Sequence, residues 1–103
     1  MLEKQIEKYF CERVAAAGGV AEKVTSLSAR GFFDRLAVLP GGRIIFAELK
    51  RPRGGVVAQH QWIRQQLYRS LGCEVVLIKT YDEVDALIDP ALPAGVQKSK
   101  RGR

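Results

Sequence analysis

Several residue types that build particular kinds of site are scarce in this 103-residue chain. It has a single histidine, His60, and only two cysteines, Cys11 and Cys73, with no C-x-x-C spacing. A zinc site or a disulfide framework needs a larger set of such residues, so the sequence predicts neither. No apolar run reaches the ~20 residues of a membrane-spanning helix, and the charged amino terminus does not resemble a secretory signal peptide. We therefore expect a protein of the reducing cytoplasm, or another intracellular compartment, with no membrane association.

The length and the net charge of the chain indicate its domain organisation and the kind of partner it binds. The chain is 47% hydrophobic, and its length is enough to bury one core but not two. Its formal net charge of +6 favours a polyanionic partner, although the last six residues carry four of the positive charges. We expect one folded domain over residues 1–90 and a basic, disordered tail over residues 91–103. The tail either adds non-specific attraction to phosphate or only keeps the protein soluble.

A β-hairpin is predicted in the middle of the chain. Two apolar runs, residues 31–40 and 43–50, flank Gly41-Gly42, and two glycines between apolar runs are a strong hairpin signal. Pairing across this turn brings Asp34, near the start of the first strand, and Glu48, near the end of the second, to the same end of the hairpin. The sequence therefore predicts two converging carboxylates.

Two converging carboxylates have the ligand chemistry of a hard divalent cation. Mg²⁺ takes oxygen ligands and keeps several waters, so two carboxylates and a backbone carbonyl are a sufficient protein contribution. Lys50 lies two residues after Glu48 and therefore on the same face of the strand. In the alternative, Asp34 is only a strand-end polar residue and Glu48 and Lys50 form a solvated pair. Glu48 ends the apolar run 44–47, where an uncompensated carboxylate is costly, and this favours the site.

The rest of the chain supplies three helices and two more strands. Apolar periodicity and turn residues predict helices over residues 2–17, 57–71 and 81–88, strands over 20–25 and 74–79, a polar loop over 26–31 and a basic loop over 51–55. The second helix carries Trp62, Ile63, Leu67 and Leu71 on its apolar side. The order αβββαβα predicts an α/β fold with a mixed central sheet and helices on both faces.

These motifs, taken in order, resemble one family. Helix 1 with Glu3, Gly31-x-x-Asp34, Glu48-x-Lys50 and a glutamine on the next helix resemble the virus-type replication-repair nuclease (VRR-NUC) domain in its stand-alone phage and bacterial form. That family is a compact branch of the restriction-endonuclease-like superfamily with the PD-(D/E)xK signature. The resemblance spans about residues 2 to 88.

The chain departs from the family pattern at two positions. Phe33 stands where the family has proline before the aspartate, which affects loop geometry more than chemistry. Ala58 stands where the family often has serine or threonine three residues before the glutamine Gln61. Because alanine cannot cap a helix, we expect the start of the second helix to be displaced.

The resemblance implies a restriction-endonuclease-like fold and a Mg²⁺- or Mn²⁺-dependent endonuclease that hydrolyses phosphodiester bonds of DNA, without an organic cofactor. Asp34, Glu48 and the backbone carbonyl of Leu49 would hold the metal. Lys50 would position the attacking water or stabilise charge on the phosphate.

The two helices would add further site residues. The resemblance makes Glu3 the helix-1 acid that reaches the metal directly or through water, with Glu7 as the alternative; otherwise both form an exposed acidic edge near the helix amino terminus. Gln61, or Gln59 in a shifted register, would orient a water or a phosphate oxygen, unless the glutamine is merely exposed. His60 is predicted to be a surface residue or a phosphate contact.

The predicted partner is DNA, bound without sequence specificity, because no recognition-helix or zinc-finger pattern is present. Phosphate contacts are expected from the arginines that cluster in sequence around the site, Arg30, Arg35, Arg51, Arg53 and Arg64.

Similarity to Holliday-junction resolvases implies a homodimer acting on branched DNA. Its interface is expected to use Trp62 and Tyr68 on the second helix, or Tyr9 and Phe10 on the first. The alternatives are a non-selective nickase or flap nuclease, and a DNA-binding module that keeps a nuclease fold without catalysis.

Overall fold

The computed structural model describes residues 2–24 and 33–88. They form α1 (Glu3–Ala16), β1 (Val20–Lys23), β2 (Arg35–Leu39), β3 (Arg43–Leu49), α2 (Gln59–Ser70), β4 (Glu74–Ile78) and α3 (Tyr81–Ile88). The predicted α/β class and the order αβββαβα are confirmed. Gly31 and Arg30, with the rest of the predicted polar loop, and the basic tail over residues 91–103 lie outside the described residues.

The four strands form one sheet in the order β1-β2-β3-β4. The first two pairings are antiparallel, and β3 pairs with β4 in parallel through the crossover that contains α2. The predicted hairpin turns at Pro40-Gly41-Gly42, where the Gly42 N–H donates to the Leu39 carbonyl. Both glycines have positive φ, 88° and 82°, a conformation that other residues rarely adopt.

Helices cover both faces of the sheet, as predicted. One face of β3 alternates into the core beneath α1 and α3, and the members of that core are Ile6, Phe10, Val14, Ala37, Leu39, Ile45, Ala47, Leu49, Ile78, Val84 and Ile88. The opposite face carries Phe46 and Glu48 and is covered by α2. There the rings of Phe33, Phe46 and Tyr68 pack with centroids 5.1 to 5.2 Å apart.

The second helix differs from its prediction in length and in orientation. It begins at Gln59 instead of Val57, because Ala58 is extended and stands at the N-cap with no side-chain acceptor. Its apolar side chains do not pack on the sheet: Trp62, Ile63, Leu67 and Leu71 are 56%, 53%, 50% and 71% exposed.

The helix instead turns Gln61, Gln65 and Tyr68 toward the sheet. This stripe faces inward because Gln61 bonds Glu48 and Tyr68 packs against Phe46, two contacts that fix the rotation of the helix.

Two ion pairs hold the helices and strands together. The buried Arg13 of α1 bonds Asp85 of α3 at 2.9 Å, and the Tyr9 hydroxyl donates to the same carboxylate at 2.7 Å. Arg43 at the start of β3 makes two bonds to Glu74, of 2.6 and 2.9 Å.

The described part of the chain has no helix with the length and apolar character needed to cross a membrane.

Candidate active site

Asp34 and Glu48 meet at one end of the hairpin. The register pairs Arg35 with Ala47, which puts Asp34 across from Glu48 at the end of the two strands. The Asp34 carboxylate accepts a hydrogen bond of 2.8 Å from the backbone N–H of Leu49, which fixes its position against β3. The structure thus brings together the two acids that the sequence pattern singled out.

Burial makes this carboxylate pair electrostatically unusual. Glu48 is 1% exposed. Burial, together with the nearby Asp34 carboxylate, raises the pKa of Glu48 from 4.5 to about 7, and Lys50 opposes the rise only in part. The pKa of Asp34 is also raised by burial, against the opposing effects of the Leu49 N–H and Lys50. Among the described residues, Glu48 Oε1 accepts no hydrogen bond. A group that carries positive charge would satisfy this oxygen.

Lys50 extends from the end of β3 toward the same carboxylate. Its Nζ lies 3.6 Å from Glu48 Oε2, and the two side chains are 15% and 1% exposed. They are therefore not the solvated pair of the alternative interpretation. A half-buried ammonium beside two carboxylates places positive charge at this end of the hairpin.

Gln61 is held at both ends of its amide. Its carbonyl oxygen accepts a 3.0 Å hydrogen bond from the Ala58 N–H, and its amide nitrogen donates to Glu48 Oε2. The first bond determines which end of the amide faces the carboxylate. Gln59 is exposed, so the structure brings Gln61 to the site and not the shifted-register alternative. The observed contact of Gln61 is with Glu48.

The two acids of α1 have different surroundings. Glu7 accepts a 2.7 Å bond from Arg35 and lies 3.7 Å from Lys23. Glu3 is close enough to raise the pKa of both Asp34 and Glu48. Even so, no group of three histidine, cysteine, aspartate or glutamate side chains in the described residues has a metal-binding arrangement.

The arginines predicted to bind phosphate differ in their exposure to solvent and in their contacts. Arg51 and Arg53 are exposed on the loop after β3, and Arg51 also bonds the carbonyls of Arg53 and Gly54. Arg64 lies over the Tyr68 ring at 6.0 Å.

Arg35 is engaged with Glu7 and with the Ala21 carbonyl, at 3.2 Å in the latter case. His60 is exposed, as predicted.

Sequence reasoning missed Gln65 near the site, which is 3% exposed and lies one turn after Gln61. It named Glu7 as an alternative site acid, but not as the partner of Arg35.

Known proteins are similar to this chain in sequence and in structure. It is 38% identical, over 80 residues, to "Putative nuclease p44" of Acyrthosiphon pisum secondary endosymbiont phage 1. The matched residues make up 78% of this chain and 85% of the phage protein. A solved structure described as "VRR_NUC domain" superposes with a TM-score of 0.81 at 31% identity, over 87% of this chain and 97% of that one. No family model matches the sequence.

Proposed function

This chain belongs to the VRR-NUC domain family, and from that premise we propose that it is a nuclease that hydrolyses phosphodiester bonds of DNA with Mg²⁺ or Mn²⁺, cutting within the strand. The observation that carries the proposal is the buried pair of Asp34 and Glu48 beside Lys50. The name of the phage relative, a putative nuclease, supports the same activity.

The residues present fit a divalent cation. Asp34 and Glu48 would hold it with the Leu49 carbonyl, because Mg²⁺ is commonly bound by one or two carboxylates and otherwise keeps its waters. Support comes from Glu48 Oε1, which has no hydrogen-bond partner in the described residues, and from the raised pKa of both acids. When bound, the cation supplies Lewis-acid polarisation of the phosphate and activates a water.

The protein's own side chains then have separate tasks. Lys50 places positive charge beside the phosphate as negative charge develops on it, or positions the attacking water. The Gln61 amide holds the Oε2 oxygen of Glu48 and leaves the Oε1 oxygen of Glu48 for the cation. Glu3 holds a water at the amino-terminal end of α1, close to both carboxylates.

DNA would lie across the loop after β3, where Arg51 and Arg53 are exposed. Contacts from these guanidinium groups to phosphate would give binding that depends on salt and not on sequence.

We further propose that the protein is a homodimer and prefers branched DNA. Of the four aromatic residues predicted for an interface, only Trp62 is on the surface, because Phe10 is buried, Tyr9 bonds Asp85 and Tyr68 packs on Phe46. Trp62 has exposed apolar neighbours in Ile63, Leu67 and Leu71, and a two-fold interface would cover this face of α2. Two copies joined in this way would carry two active sites for two strands.

One experiment tests the activity and its selectivity. The purified wild-type protein and the Asp34→Asn variant are each incubated with labelled four-way-junction, flapped and linear DNA. Each reaction contains Mg²⁺, Mn²⁺ or a chelator. We expect cleavage that needs the cation, favours the junction and is lost in Asp34→Asn. Equal cutting of all three DNAs would support the non-selective nickase or flap nuclease. DNA binding without cleavage under any condition would leave only the binding module.

A further inference from the structure

Gln65 is a buried polar residue that the proposed chemistry does not use. Its side chain is 3% exposed, and its amide nitrogen has no hydrogen-bond partner in the described residues. Buried amides are nearly always hydrogen-bonded, so an amide without a partner calls for an explanation. Only one other buried side-chain atom in the described residues lacks a partner, and it is Glu48 Oε1.

Contacts on either side bring Gln65 into the same layer as that oxygen. One turn before it on α2, Gln61 bonds Glu48, and nearly one turn after it, Tyr68 packs against Phe46. Glu48 and Phe46 are two residues apart on the same face of β3. Gln65 therefore lies over the stretch between Phe46 and Glu48, in the same layer as the carboxylate.

We propose that Gln65 is a positioning residue for Glu48, acting through one buried water that its amide N–H holds against Glu48 Oε1. A direct bond does not form, since neither atom has a partner, and a buried water characteristically bridges such groups. A carboxylate oxygen has two lone pairs, so Oε1 can accept this bond and still coordinate a cation. Gln61 and Gln65 would then hold one oxygen each and keep Glu48 aligned for the metal.

This inference rests on the proposed metal-dependent function, and cation binding in the absence of DNA tests it. Gln65→Met keeps the length of the side chain and removes the donor. Loss of a group that supports a metal ligand commonly weakens binding by ~10- to 100-fold. We expect the dissociation constant for Mn²⁺, measured by isothermal titration calorimetry, to rise about tenfold. The melting temperature of the metal-free protein should fall only slightly, because the variant loses one water-mediated hydrogen bond and keeps the packing of the side chain.

Gln59→Met on the exposed side of the same helix is the matched control and should bind Mn²⁺ like the wild type. If Gln65→Met does not fold, Gln65→Leu takes its place. An unchanged dissociation constant in a folded apolar variant would reduce Gln65 to a core-filling residue and overturn the inference. A wild-type protein that binds no Mn²⁺ would instead overturn the proposed function itself, and the inference with it.

Discussion

At the scale of single residues, burial determines the character of Glu48. Its carboxylate is buried beside a second acid, and the Lys50 ammonium and the Gln61 amide compensate for it in part. Such a group holds a proton strongly until a cation replaces it. The same physics links the stability of the protein, its pH dependence and its affinity for metal.

A pH dependence of stability follows from the raised pKa of Glu48. The folded protein holds this proton more tightly than the unfolded chain, with a pKa of about 7 against an ordinary value of 4.5. The associated stability is complete below pH 4.5 and is lost as the pH rises through about 7. We expect the melting temperature in chelator to fall over this interval, and Glu48→Gln, which stays neutral, to fall less. Equal slopes for the two proteins would contradict the assignment.

The stabilisation of the protein by a bound cation should increase with pH, whereas the stability of the metal-free protein decreases. Because the cation competes with the proton on Glu48, the melting-temperature increase caused by Mn²⁺ should grow as the pH rises through about 7. Glu48→Gln, measured in parallel, should show little increase at any pH. An increase that does not depend on pH would place the cation elsewhere.

Lys50 provides a test of chemistry against affinity. Its side chain is 15% exposed and its ammonium lies beside Glu48, so it is not a general surface charge. Lys50→Met should lower kcat by a factor of ~10² to 10³, as when one electrostatic donor is removed from a preorganised site, and should change DNA affinity much less. The matched control is Lys79→Met, a lysine that follows β4 in the way that Lys50 follows β3. Unchanged turnover of Lys50→Met would make Lys50 a structural partner of Glu48 only.

At the scale of secondary-structure elements, the hairpin was predictable and the orientation of α2 was not. Gly41-Gly42 and the flanking apolar runs are local signals, and the alternation along β3 then places Glu48 and Lys50 on one face. For α2 the apolar periodicity put Trp62, Ile63 and Leu67 on one side of the helix, but the rotation of the helix depends on contacts to Glu48 and Phe46, which are distant in sequence. Gln65 was missed for the same reason, because its environment comes from β3.

The Arg13–Asp85 ion pair links α1 to α3 beside their shared apolar core. Asp85→Ala would leave the Arg13 guanidinium, whose side chain is 8% exposed, without the carboxylate that bonds it. Breaking a buried pair in this way costs about 3 kcal/mol of unfolding free energy, which urea denaturation would measure. Lys23→Ala, which removes a 69%-exposed lysine from a 3.7 Å pair, is the control and should change the free energy by less than about 1 kcal/mol. A similar small loss in Asp85→Ala would show that the apolar core alone fixes the two helices.

At the scale of the whole molecule, the unexplained feature is the outer face of α2. Four large apolar side chains stand there at about half exposure or more, on the helix whose amino terminus supplies Gln61 to the site. A second copy that covered this face would place each active site at a fixed distance from its partner. The geometry of the dimer would then determine which DNA structures can reach both sites.

Leu67→Glu tests this assembly directly. In a two-fold interface each copy would bring its acid close to that of its partner, so repulsion and the burial of charge would separate the copies. Light scattering at micromolar concentration should give the dimer mass for the wild type and the monomer mass for the variant. The fold should be retained, because Leu67 is 50% exposed.

Leu2→Glu, at a 63%-exposed leucine of the α1 N-cap, is the control for an added acid and should remain dimeric. The separated Leu67→Glu protein should still cut linear DNA, since none of the site residues is changed, but it should lose any preference for four-way junctions. If the variant keeps both the dimer mass and the junction preference, the copies join through another surface. If the wild type already has the monomer mass, each chain acts alone, and the exposed face of α2 has no part in the choice of DNA.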